Sequence, residues 1–267
     1  MQLNDARVLL TGACGGIGRE TALRLAAAGA RLVLAGRNAG ILDTLQAQKA
    51  KGGGIASTMT IDISQPGGAQ QIQKAAQAAL GGIDVLINNA GVLDFGPFAA
   101  QSSEAIQRLF AINVIGPVQL TRAVLPNMLD QGRGHIVNIG SVFGSIGFAY
   151  MSVYSSSKFA MHGFSQALRR ELTGSGITIT YVAPRATRTG LNTGAVYRMC
   201  EALGMSMDTP DKVAARVVDA IQRDARDVYI GWPESLFVRI NALLPGAVDV
   251  ALRRQHRQVS EFAAQAK

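Results

Sequence analysis

The chain has 267 residues, 48% of them hydrophobic and 16% charged, a length and balance that suit one well-buried α/β domain. Its net charge is +8, but no run of five or six like charges and no aromatic-interleaved basic stripe is present, so nucleic acid is not an expected partner. The three histidines and two cysteines have no metal-ligand spacing and no apolar run approaches the ~20 residues that span a bilayer, which predicts no metal site and a cytoplasmic protein with reduced thiols.

In chain order, "RVLLT" (7–11) reads as a strand and "TGACGGIG" (11–18) as a glycine-rich turn opening a helix over 19–28. Such a turn brings backbone N–H groups and the helix dipole up to a pyrophosphate. Gly12 permits the turn, Gly16 close approach, and Gly18 tight helix–sheet packing. Cys14 reads as a small residue filling the loop, with a redox switch as the alternative. The second strand, "RLVLA" (31–35), runs into Gly36 and Arg37. A site for NAD usually places an acid here for the ribose hydroxyls. This chain has none and offers an arginine able to pair with a 2′-phosphate, which points to NADP rather than NAD. A plain surface charge is the other reading of Arg37.

The third strand, "ASTMT" (56–60), lies between the turns "KGGG" (51–54) and "QPGG" (65–68). "DVLIN" (84–88), "HIVNI" (135–139), "TITYV" (178–182) and "DVYIG" (227–231) complete the strands, with helices predicted over about 102–129, 152–173 and 210–222. Buried β-branched runs alternating with helices predict a doubly wound parallel sheet of about seven strands, a Rossmann fold with helices on both faces, in a single domain over 1–267.

Tyr154 and Lys158 stand at i and i+4 and share a helix face. An ammonium beside the phenol favours phenolate, and a fall of two or three units, each about 1.4 kcal/mol, would suit proton transfer near neutral pH. Ser141, just past the fifth strand, is placed to hydrogen-bond a substrate oxygen and its developing charge. Asn113, polar in the apolar "LFAINVIG", needs partners if buried.

Together these motifs resemble the short-chain dehydrogenase/reductase family, over all but the C-terminal extension at about 232–267. The resemblance implies a catalytic tetrad of Asn113, Ser141, Tyr154 and Lys158. In it Lys158 also binds the nicotinamide ribose and Asn113 holds a water that relays protons to Lys158. It implies a cofactor site formed by Gly12, Cys14, Gly16, Ile17, Gly18 and Arg37, by Asp62 and Ile63 near the adenine, and by Asn89, Ala90 and Gly91 of "NNAG" (88–91). Tyr154, Lys158, Pro184, Thr187 and Thr189 complete it at the nicotinamide end. The implied reaction is hydride transfer between NADPH and a carbonyl or alcohol, with Tyr154 as acid/base, in a homodimer or homotetramer.

The chain departs from the family at Pro184–Arg185, where Pro-Gly is usual. This puts the local turn in doubt, because arginine avoids positive φ. Arg185 or Arg188 could attract an anionic substrate or be solvated. A lid is expected over about 187–209. Ser141, Phe143, Phe148, Met151, Leu191 and Tyr197 are the candidate substrate contacts, and they predict a hydrophobic small-molecule carbonyl or alcohol, of lipid-like, steroid-like or polyketide-like kind. Two alternatives are a 3-oxoacyl thioester reductase, whose basic surface would meet an acidic carrier, and a non-catalytic dinucleotide-sensing scaffold. The extension could be a helix pair lying on a membrane surface, but subunit packing or a cap on the pocket is favoured.

Overall fold

A computed structural model describes residues 1–48, 54–192 and 194–265. Among them, seven strands form one parallel sheet in the order β3-β2-β1-β4-β5-β6-β7. They are β1 Arg7–Thr11, β2 Arg31–Gly36, β3 Gly54–Thr60, β4 Val85–Asn88, β5 Gly134–Ile139, β6 Ile177–Pro184 and β7 Asp227–Ile230. Each falls within two residues of its expected place. Of the turn expected over 51–54, residues 51–53 lie outside the described residues, as does position 193 of the expected lid.

Side-chain alternation divides the apolar residues of the central strands between two main cores. Val8 and Leu10 of β1, Leu32 and Leu34 of β2, and Val85 and Ile87 of β4 pack on one side. There they meet Leu25 of α1 (Gly16–Ala27), Leu42 and Leu45 of α2 (Ala39–Ala47), and Val213, Val217 and Ile221 of α8 (Pro210–Gln222). Leu9, Val33 and Leu86 face the other way, onto α3 (Gly68–Leu80), α5 (Gly116–Gln131) and α6 (Ser152–Glu171). The central strands are covered on both faces, hence their unbroken apolar runs. β3 differs from the expected buried strand: it is an edge strand and only half buried, which accounts for its serine and threonines.

The single helix expected over 102–129 is three pieces. Ser102 caps α4 (Ser103–Phe110), its hydroxyl accepting from the Ala105 N–H at 3.1 Å. A π-helical turn, Ala111–Ile115, follows and leads into α5. The run Ser103–Gln131 is long and apolar enough to cross a membrane, unlike any run recognised in the sequence. However, Leu109, Ile112, Leu120, Val124 and Met128 are buried within the protein, as in the core helix of a sheet-covered fold.

After α6, the chain adds α7 (Gly194–Ala202) and, beyond β7, α9 (Glu234–Leu243), α10 (Pro245–Arg253) and α11 (His256–Ala264). Val259 and Ala263 of α11 share one apolar cluster with Val196 and Met199 of α7 and with Tyr154. The last helix therefore packs on α7 and on the start of α6.

Candidate active site

Strand order reverses between β1 and β4, and ligands of open α/β sheets bind at such a switch point, beyond the C-terminal strand ends. A cleft of about 620 Å³ lies there, bordered by the turn after β1 and by the ends of β2, β4, β5 and β6. The turn is shaped by what its glycines exclude. Gly12 has φ +67°, and a Cβ on it would stand 2.7 Å from the Ala90 Cα. A Cβ on Gly16 would stand 2.8 Å from Cγ2 of Thr189, and one on Gly18 2.7 Å from Nδ2 of Asn89. That Nδ2 donates to the carbonyls of Thr11 at 3.1 Å and Gly12 at 3.0 Å.

Among the described residues no side chain caps the N-terminus of α1, so the N–H groups of its first turn are left to an anion. A cradle that a Cβ would fill, at an uncapped helix start, fits a dinucleotide pyrophosphate. Every cofactor position expected from the resemblance, from Gly12 to Thr189, borders this cleft. At its outer end Arg37 is exposed and makes no hydrogen bond or ion pair among the described residues. Burial pushes the Asp62 carboxyl up. The bonds it accepts from the N–H and hydroxyl of Ser64, at 2.9 and 2.6 Å, and the charges of Arg37 and Arg108 outweigh this and hold it below the usual range.

At the inner end Ser141, Tyr154 and Lys158 meet, all buried. The Lys158 ammonium donates to the Ile139 carbonyl at 3.1 Å and stands 5.7 Å from the centre of the Tyr154 ring. The Tyr154 pKa moves opposite to the sequence expectation. Burial pushes the Tyr154 phenol up to about 12, offset only in part by a hydrogen bond with Ser141. Burial also pushes Lys158 down to about 8. Desolvation of both charged forms outweighs the attraction on which the expectation rested.

Asn113 stands in the π turn, behind the cleft wall. Its Oδ1 accepts from the Val92 N–H at 2.9 Å, and its Nδ2 donates to the Val92 carbonyl at 2.9 Å and to Oγ of Ser157 at 3.0 Å. It thus fixes the segment after β4 to the helix that carries Tyr154.

Of the six expected substrate contacts, Ser141, Phe143, Met151 and Leu191 border the cleft. Phe148 and Tyr197 are not among its lining residues. Phe148 stacks behind Phe143 with ring centres 4.7 Å apart, and the Tyr197 hydroxyl donates to the Thr189 carbonyl at 3.0 Å, bracing the lid. Met199, Cys200 and Met205 stand in the wall as well.

The doubt about Arg185 is resolved by its side chain. Its backbone is not among the positive-φ residues. Its guanidinium binds Asp208 at 2.9 and 3.1 Å and Glu234 at 3.1 Å, so it is paired rather than free to attract an anion. Two supporting residues went unseen in the sequence. Thr11 Oγ1 accepts from the N–H groups of Asn89 and Ala90 at 3.1 and 3.2 Å, tying β1 to β4. Tyr181, read only as part of a strand, reaches Ser141. A threonine before a glycine turn could have suggested the first; a single buried tyrosine carries no such signal.

The family model for short chain dehydrogenase matches residues 6–198. A ketoacyl reductase, HetN, of Nostoc is 38% identical over 255 residues, covering 92% of this chain and 88% of that protein. Dehydrogenase/reductase SDR family member 7B of Bos taurus is 35% identical over 257 residues, covering 91% and 79%. A short-chain dehydrogenase/reductase from Burkholderia phymatum, solved in complex with NAD, superposes with a TM-score of 0.81 at 26% identity, covering 95% and 96%. The chain belongs to the short-chain dehydrogenase/reductase family and is an oxidoreductase acting on CH–OH groups with a nicotinamide dinucleotide.

Proposed function

We propose that this enzyme interconverts a hydrophobic carbonyl compound and its alcohol, with Tyr154 as the proton donor and NADP as the preferred cofactor. The observation that carries the reading is the meeting of Ser141, Tyr154 and Lys158 at the inner end of the glycine-cradled cleft.

When bound, the nicotinamide supplies or accepts the hydride. The chain's own residues do the rest. Ser141 Oγ orients the substrate oxygen. The Tyr154 phenol, held protonated by burial, gives its proton to that oxygen as charge develops on it. Lys158 holds the nicotinamide ribose, and its ammonium replenishes the tyrosine's proton through water fixed near Asn113. Phe143, Met151, Leu191 and Met199 present an apolar wall, with methionines that adapt to shape.

The NADP preference rests on the lack of an acid at the end of β2 and on the unpaired Arg37. Exposed Ile115 and Phe159, on the turn before α5 and on α6, suit contact between subunits of a homodimer or homotetramer.

NADPH oxidation screened over a library of carbonyl compounds tests the reading, with Tyr154→Phe as control. Turnover should fall by about 10²-fold or more in the variant while NADPH affinity stays nearly unchanged. Full turnover in Tyr154→Phe would remove the proton-donor role. Tight NADPH binding with no turnover of any compound would favour a sensing scaffold.

A further inference from the structure

The α9–α10 hairpin is anchored on one side only. Val238 and Val248 are buried against Val142 and Ile146, and Asn241 Nδ2 donates to the Ser145 carbonyl at 2.9 Å. The other side is apolar and open. Of the eleven exposed large hydrophobics among the described residues, six lie on this hairpin or just before it: Trp232, Leu236, Phe237, Leu243, Leu244 and Val250. Singly scattered apolar residues need no explanation, but a contiguous group does. Leu243 is 81% exposed and Trp232 70%, and all six residues from Ala242 to Ala247 are exposed. On a helix, Leu236, Phe237 and Leu243 fall within an arc of about 120°.

The charge along this segment is mostly positive. Residues 235–258 contain Arg239, Arg253, Arg254 and Arg257 but a single acid, Asp249. Arg239, Arg253 and Arg254 form no ion pair among the described residues, while Arg257 lies 3.7 Å from Glu261. Arg239 sits three residues after Leu236, about 60° from it and at the border of the apolar arc.

We infer that this tip docks on the surface of an anionic lipid bilayer. The turn 242–247 and Trp232 enter the boundary between headgroups and acyl chains, and the three unpaired arginines meet lipid phosphates. An apolar face bordered by arginines and carrying an exposed tryptophan has the composition of an interfacial element. A second copy of the chain is the poorer occupant, because a two-fold contact would bring these arginines against their own counterparts with only Asp249 to answer them. The docked hairpin would rest against Val142, next to Ser141, so the active site would stand close to the bilayer.

Trp232 is the sole tryptophan of the sequence, so its fluorescence reports this face directly. The full chain is titrated with vesicles of phosphatidylcholine mixed with phosphatidylglycerol, and with vesicles of phosphatidylcholine alone. A blue shift and co-sedimentation with the mixed vesicles are expected, weakening about fivefold for each of Arg239→Ala, Arg253→Ala and Arg254→Ala. Leu243→Glu/Leu244→Glu should abolish both signals without changing the melting temperature, since both side chains are exposed. Three results would overturn the inference. The first is no shift on mixed vesicles, or equal binding to both vesicle types. The second is a concentration-dependent shift without lipid that the glutamate pair removes, which would assign the face to a second copy. The third is a shift seen only with an acidic carrier protein.

Discussion

The Tyr181 hydroxyl stands 3.3 Å from both the backbone nitrogen and the carbonyl oxygen of Ser141, accepting from the first and donating to the second. It also lies 3.4 Å from the Lys158 carbonyl, so one fully buried phenol links the strand end bearing the serine to the helix bearing the lysine. Burial pushes its pKa well above the ordinary phenol range, and it stays a donor throughout the working pH. The space it fills is kept open by Gly140 and Gly144, where any Cβ would strike its ring or hydroxyl.

Tyr181→Phe should therefore loosen Ser141 without touching the cofactor cradle. We expect kcat to fall about tenfold and stability by about 1 kcal/mol, the worth of a buried hydrogen-bonded hydroxyl, with NADPH affinity unchanged. Steady-state kinetics beside urea denaturation separates the two effects. An unchanged kcat with lost stability would make Tyr181 a packing residue only.

Cys14 and Gly36 form a second coupled pair. The cysteine sulfur occupies the place a Cβ on Gly36 would need, and it borders the outer end of the cleft. Gly36→Ala should cost about 1–3 kcal/mol by overpacking. Adding Cys14→Ala should restore most of this, with a coupling energy of about 1 kcal/mol or more in the double-mutant cycle. The same contact makes position 36 a poor place to build an NAD-selecting acid. Arg37→Asp should shift the NADPH/NADH preference by at least about tenfold, as loss of a charged hydrogen bond implies, whereas Gly36→Asp should chiefly damage the fold. Ratios of kcat/KM for the two cofactors decide this.

What could be read before the structure was known divides along physical lines. Strands, glycine cradle and the Tyr154–Lys158 pair are local patterns: β-branched runs, a turn that only glycine allows, and a tyrosine and lysine one helical turn apart. They carry over into three dimensions because each depends on neighbours in sequence. What escaped depends on burial or on distant partners. Tyr154 was expected to be acidified by Lys158, but burial of both, a property of the assembled core, wins. Phe148 and Tyr197 looked like pocket residues from their type and position, yet only tertiary packing decides which aromatic faces the cleft and which stands behind it. The π turn at Ala111–Ile115 leaves no mark in a hydrophobic pattern that continues across it.

Arg185 owes its place to such distant partners. Its carboxylate partner Asp208 is 3% exposed and keeps one other cation, Lys212, at 2.7 Å. Asp208 also anchors the lid through its backbone, accepting from the Arg188 N–H and donating to the Ala186 carbonyl, both at 2.9 Å. Arg185→Gly, the residue usual in the family, should cost about 2–3 kcal/mol by leaving Asp208 half-paired and should raise KM for substrate as the lid loosens. Arg185→Lys should fail to rescue, since one ammonium cannot bridge Asp208 and Glu234 as the guanidinium does. Urea midpoints and KM values for the three proteins test both statements.

His135 should govern part of the acid stability. It is fully buried, with Nε2 2.7 Å from the Thr180 hydroxyl. That hydroxyl already donates its proton to the Ala225 carbonyl, so Nε2 carries the proton of the neutral ring, while Nδ1 stands 3.4 Å from Oδ1 of Asp224. Burial pushes the imidazole down to about 4; the nearby Asp224 carboxylate pulls the other way and the chain's amino terminus adds to the fall. The unfolded chain titrates near 6.5, so between pH 6.5 and 4 it binds more protons than the folded one. Stability contributed by the neutral ring is complete above pH 6.5 and is lost as pH falls, at up to about 1.4 kcal/mol per unit, levelling below about 4. His135→Gln should remove that share of the slope. Urea midpoints of both proteins at pH 7, 5.5 and 4 give the difference curve, and parallel curves would show that His135 does not titrate as described.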